Sequence, residues 1–241
     1  MRPRRTHTKI YLSRLHVAVT LFFVVLPFAV FLALSQFTQV PTNELFPAIA
    51  ISLLRLFISY LIAAVLAWIS AVAFYRGRRA VIALPIFDVL QSFPTFAALP
   101  LATYAWGRSN TTVIVFLVIT IIWPIFFSII SSLKLMKHDW EEAAEMSGLR
   151  GWRYLKNFIW PVTIPGLITG SIIGLGEGWE AIVATEIIVQ IRSGLGGFFQ
   201  NFSQNTTATV FGIFGLLALI FSINKLLWLP LLERTHKTMT E

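Results

Sequence analysis

Apolar and polar positions along this chain are segregated in long blocks, not alternated within turns. Six stretches stay apolar for at least the roughly 20 residues that a helix needs to cross a bilayer: residues 17–37, 48–75, 81–106, 111–133, 158–190 and 207–229. The first holds no charge, and the second is interrupted only by Arg55. The third carries Asp88 and Gln91 together with Pro85, Pro94 and Pro100, while the fourth is clean apart from Pro124. Glycines crowd the fifth, which also contains Glu177, Glu180 and Glu186; Lys225 falls near the end of the sixth. The pattern predicts an all-α polytopic membrane protein with about six transmembrane helices.

Composition agrees with that reading. Apolar residues make up 56% of the 241 positions and charged residues 12%, and the mean hydropathy is +0.76. A soluble domain of this length would need a more charged exterior. The net charge of +8 is split into small clusters between apolar runs, a pattern that fits a topology signal and not a nucleic-acid surface. Arg2, Arg4, Arg5, Lys9 and Arg14 precede the first run; Arg76, Arg78 and Arg79 follow the second. Lys134, Lys137, Arg150, Arg153 and Lys156 follow the fourth, and Arg234 and Lys237 the sixth; the opposite loops hold only Arg108 and Arg192. The asymmetry places both termini in the cytoplasm. The basic start and Ala33-Leu34-Ser35 mimic a secretory signal, but the apolar run is too long and further runs follow, so a retained first span is expected. Residues 1–16 then form a basic cytoplasmic segment, 17–234 one membrane domain, and 235–241 a cytoplasmic tail. Cysteine is absent, which excludes thiol catalysis and thiolate metal sites.

One short segment breaks the apolar pattern. Between the fourth and fifth spans lies EEAAEMSGLRGWRYLKNFIWP, residues 141–161. Asp139 is placed to cap a helix, with Glu141, Glu142 and Glu145 near its positive end. Ala143 and Ala144 favour helix with little bulk, and Gly148 suits the left-handed stop. Arg150 to Arg153 then read as a turn and a second short helix, with Pro161 and Pro165 flanking the entrance to the next span. An interfacial loop anchored by Trp and Arg would share this composition.

The spacing separates the two readings. Glu142-Ala143-Ala144, three residues, Gly148, and Pro161 thirteen residues after that glycine resemble the EAA-x3-G-x9-I-x-L-P loop of ABC importer permeases. Phe158 and Trp160 stand where that pattern has Ile and Leu. Residues 85–101 (PIFDVLQSFPTFAALPL), 178–188 (GWEAIVATEII) and 193–196 (SGLG) are similar to the nitrate/sulfonate/taurine-type subgroup. The resemblance covers about residues 52–234. It implies that the loop around 138–157 is a coupling helix docking on a separate ABC ATPase subunit, through Glu142, Ala143, Ala144, Gly148 and Pro161. It implies as well a second permease copy, identical to this one in the simplest case, an extracytoplasmic solute-binding protein, and residence in a bacterial-type inner membrane. The subgroup implies a small solute such as nitrate, a sulfonate, taurine or bicarbonate. The chain has no phosphate loop, and no Gly-Lys pair at all, so it is expected to bind no cofactor itself, with ATP and magnesium held by the partner ATPase.

Ionisable groups in a span cost several kcal/mol unless paired or hydrated. Arg55 is therefore expected to pair with Glu180 or Glu186, the latter near the outer interface where solvation is easy. Asp88, Gln91, Ser92 and Pro94, with Glu177 and Glu180, are candidates for the translocation path, since prolines open the backbone and polar groups need a wet cavity. Gly170, Gly174, Gly176 and Gly178 are expected to permit close helix packing. Two other classes stay open at this point. The same carboxylates suit an ion-coupled secondary transporter, which would need no ATPase. For a membrane-embedded enzyme there is no supporting motif: the four histidines, His7, His16, His138 and His236, show no metal-ligand spacing.

Overall fold

The computed structural model describes residues 22, 25–26, 29–30, 32–33, 35–36, 41–228 and 230. The expected basic segment 1–16, most of the expected span 17–37 and the tail 235–241 lie outside the described residues. Among the described residues every regular element is helical.

Helix α1, Thr42–Phe74, runs for 33 residues, about 50 Å at 1.5 Å per residue. It is longer than the roughly 30 Å hydrocarbon layer. Helix α2, Gly77–Gln91, and helix α3, Thr95–Trp106, follow, bent by 80° at the break between them. The expected third span is therefore two helices, broken at Ser92-Phe93-Pro94. Pro94 has no N–H to continue α2 and disfavours helical geometry at Phe93. Helix α4, Asn110–Lys134, runs on through Pro124, with Ser109 capping it by accepting from the Thr112 N–H. Short helix α5 is His138–Met146.

Helix α6 is one 39-residue element, Gly151–Val189. The second short helix expected after Arg150 is instead its first turn. A π-helical turn, Leu155–Ile159, joins that turn to the span, immediately ahead of Pro161, whose missing N–H already weakens the regular ladder. Helix α7, Leu195–Asn201, and helix α8, Thr206–Ile223, complete the described chain; a π-helical turn, Asn224–Trp228, extends α8. By length and composition α1, α4, α6 and α8 can each cross a membrane, and α2 with α3 makes a fifth if the bent pair is one broken span and not a re-entrant loop.

Helix α4 is the central post. Its Leu117, Ile121, Ile125, Phe126 and Ile129 are almost fully buried, in one cluster with Ala63, Ala67 and Ala71 of α1 and Ile182 of α6. The approach of α6 to α4 is made possible by glycines four apart. A Cβ on Gly170 would fall 2.5 Å from the Cα of Ile125, and one on Gly174 would lie 3.1 Å from the Ile121 carbonyl. Gly178 is equally confined, by Leu56 and Ile121, and Gly166 extends the stripe against Ser128. Gly176, expected in this packing set, faces open space. In a helix with 3.6 residues per turn, 176 lies on the other side from the 166/170/174/178 row. Away from this core the exterior is apolar: Leu54, Phe57 and Val65 of α1 are more than half exposed. Such a surface suits lipid, not water.

Candidate functional site

Three polar constellations stand out against this apolar frame. The first is a buried ion-pair network where α1, α4, α6 and the 190–195 loop meet. Arg55 is 5% exposed and Glu186 not at all, and Arg55 Nη1 donates to Glu186 Oε1 at 2.5 Å. The remaining four guanidinium N–H groups are also taken. Nε and Nη2 donate to Asn110 Oδ1 at 3.1 and 2.8 Å; Nη1 reaches the Ser193 carbonyl at 3.0 Å and Nη2 the Ser193 hydroxyl at 2.6 Å. Arg55 thus uses all five of its donors.

Glu186 is satisfied from three directions. The Ser52 hydroxyl lies 2.9 Å from both carboxylate oxygens, and the Gly196 N–H donates to Oε2 at 2.8 Å. Ser52 Oγ accepts in turn from the Leu195 N–H at 2.8 Å. Gly194, at φ +94°, is where the loop passes over the pair, and a Cβ there would sit 2.5 Å from Glu186 Oε1. The easy solvation expected for Glu186 is absent. Burial under this loop removes water, and the protein supplies every hydrogen bond instead. Of the two glutamates named for Arg55, the structure brings Glu186 to it, not Glu180. Ser52, Asn110 and Ser193 escaped the sequence reading; the signal available was that a span-embedded guanidinium needs five acceptors, more than one carboxylate provides.

The second constellation is a cavity of about 960 Å³ at the α2–α3 break, walled by α4 and α6. Gln91, Ser92, Pro94 and Glu177 line it, together with Thr120 and Ser131 of α4. Asp88 does not line it; its carboxylate accepts from the Gln91 amide at 2.7 Å. Glu180 lies one turn from Glu177 but on a separate crevice of about 500 Å³, beside Ile213 and Leu216 of α8. The structure therefore assembles four of the six expected path residues and parts the two glutamates. The α4 contribution was visible in principle, because Thr120, Ser128 and Ser131 recur at helical spacing on one face of an otherwise apolar span.

The third constellation is α5. Lys137 precedes it with no side-chain capping bond, and Asp139 lies inside its first turn. Asp139 is therefore not the cap, although its charge still favours the positive helix end. Gly148, at φ +73°, ends the helix: its N–H donates to the Glu145 carbonyl and the Leu149 N–H to the Ala144 carbonyl, at 3.0 and 3.2 Å. This pair of bonds satisfies the last carbonyls through a left-handed glycine. One face of α5 is tied down, since Ala144 is buried and Glu141 contacts Arg76 and accepts from the Tyr154 hydroxyl at 3.2 Å. The other face is open, with Glu142, Ala143 and Met146 exposed. His138 Nε2 lies 3.2 Å from Glu142. Pro161 is not on this face but inside α6, past its π-helical turn.

Long apolar helices around a polar cavity, with a short amphipathic helix beside them, define a multi-pass membrane protein. Residues 63–227 match the family described as binding-protein-dependent transport system inner membrane component. The chain belongs to that family. It is 33% identical over 163 residues to the nitrate import permease protein of Leptolyngbya laminosa, covering 64% of this chain and 55% of that protein. With the taurine transport system permease protein of Escherichia coli it shares 32% identity over 117 residues, 48% of this chain and 42% of the relative. A bicarbonate transport system permease protein of Synechococcus elongatus is 27% identical over 127 residues, 52% of this chain and 46% of its own length. The chain spans about half the length of these relatives.

Proposed function

We propose that this chain is the transmembrane permease subunit of an ABC importer. In this reading solute passes through the cavity at the α2–α3 break, and a separate ABC ATPase binds and hydrolyses ATP with magnesium. Two permease copies, two ATPases and an extracytoplasmic solute-binding protein complete the assembly, with six spans per permease and both termini in the cytoplasm. The solute is sought within the range of its relatives' names: nitrate, bicarbonate and taurine.

The observation that carries the reading is the geometry of α5. A nine-residue helix held by Glu141 and Ala144, ended at Gly148 and presenting Glu142 and Ala143 outward is suited to docking in a groove of another protein. ATP binding shifts a permease only through contacts that differ between its states, and α5 supplies such a contact. Replacing Glu142 with Lys, or Gly148 with Val, is expected to abolish ATP-dependent uptake while membrane insertion remains normal. Uptake and ATPase assembly unaltered by both changes would contradict the coupling role. The ion-coupled alternative predicts uptake in vesicles that contain no ATPase.

A further inference from the structure

The charge of the central cavity is lopsided. Among the described residues that line it, Glu177 is the one ionisable side chain, and no Lys, Arg or His accompanies it. Of the other two glutamates of α6, Glu186 is already neutralised by Arg55, and Glu180, one turn away on a separate crevice, adds charge of the same sign. Around Glu177 the walls are aromatic and hydroxylic: Phe93, Phe96, Trp123 and Phe127 on the apolar side, Thr120 and Ser131 on the polar side. A carboxylate among aromatic side chains attracts positive charge by its own charge, and rings that turn their faces to a cation add the attraction of their quadrupoles. For a bare anion the same cavity offers hydroxyl donors but no cation, and a carboxylate that repels it.

We infer that the cavity selects solutes presenting an ammonium or other protonated nitrogen group beside an apolar or flat body, and that it disfavours bare inorganic anions. Glu177 is the residue that sets this preference, with the rings of Phe93, Trp123 and Phe127 holding the body of the solute. The inference rests on the cavity being the translocation path, and within that reading it turns the solute away from the nitrate and bicarbonate of the relatives' names.

The chain contains no cysteine, so a single thiol reports on the cavity without background. Ser131→Cys in the full-length permease, purified into nanodiscs, is labelled with a cationic trimethylammonium methanethiosulfonate and, separately, with an anionic sulfonate methanethiosulfonate. Rates are normalised to those with a free thiol in solution. The expected result is about tenfold faster labelling by the cationic reagent, the scale of focusing by a one-signed cleft, collapsing toward equal rates when Glu177→Gln is added. Equal or faster labelling by the anionic reagent overturns the charge inference and leaves the path reading standing. No labelling by either reagent, while Met146→Cys on exposed α5 labels normally, means the cavity is closed to water and overturns the path reading itself.

Discussion

Removing one partner of a buried charge pair leaves the other uncompensated, and that is the vulnerability of Arg55 and Glu186. Glu186→Gln or Arg55→Ala is expected to cost about 3–5 kcal/mol, read as a large fall in the detergent melting temperature. Arg55→Lys should recover only part of the loss, because an ammonium has three donors where five are used. An apolar double replacement at both positions should be milder than either single change, since no orphan charge remains. At this scale the sequence showed that Arg55 needed a carboxylate but not which one. Glu180 and Glu186 lie six apart on α6, too far round the helix to serve the same neighbour, and the choice was made by a loop whose glycine, Gly194, lies over the pair. Ser52 and Asn110 were harder to read, because nothing in a serine or an asparagine announces that a distant arginine will use it.

Among the elements, the glycines of α6 divide into a row that packs on α4 and one, Gly176, that does not. Gly170→Leu would drive a side chain into the backbone of α4 at Ile125, and overpacking of this kind costs about 1–3 kcal/mol. Gly176→Leu, facing open space, should leave the melting temperature within a degree or two of the parent. Equal losses at both positions would show that the glycine row is not what holds α4 to α6. The prolines of residues 81–106 predict an opened backbone but not the split of that span into two helices, and Pro124 and Pro165 lie inside unbroken helices. A proline breaks a helix where little packs across it and is tolerated where neighbours satisfy the freed carbonyl, and sequence does not contain that difference. The first turn of α6 was misread for a related reason. Basic residues and Gly151 suggested a separate helix, whereas the π-helical turn lets one helix run on through Pro161.

On the scale of the whole molecule, the apolar blocks made the membrane class legible because a bilayer tolerates so few alternatives to long helices. That residues 141–161 open in a short helix ended at Gly148 was legible for a different reason: small, charged and conformationally special residues at fixed spacing signal a helix and its stop. What the chain could not reveal is how its candidate path residues distribute, because Glu177 and Glu180 are neighbours in sequence yet open onto different cavities. The central claim is that α5 docks on an ATP-hydrolysing partner. Ala143→Cys, introduced into this naturally cysteine-free chain and treated with a short bifunctional cross-linker in native membranes, tests it directly. One covalent adduct is expected, with a protein carrying a G-x4-GK[ST] phosphate loop, its yield changed by ATP and lost when Glu142→Lys is added. A chain that forms no such adduct, and still accumulates solute from an ion gradient alone, would contradict it.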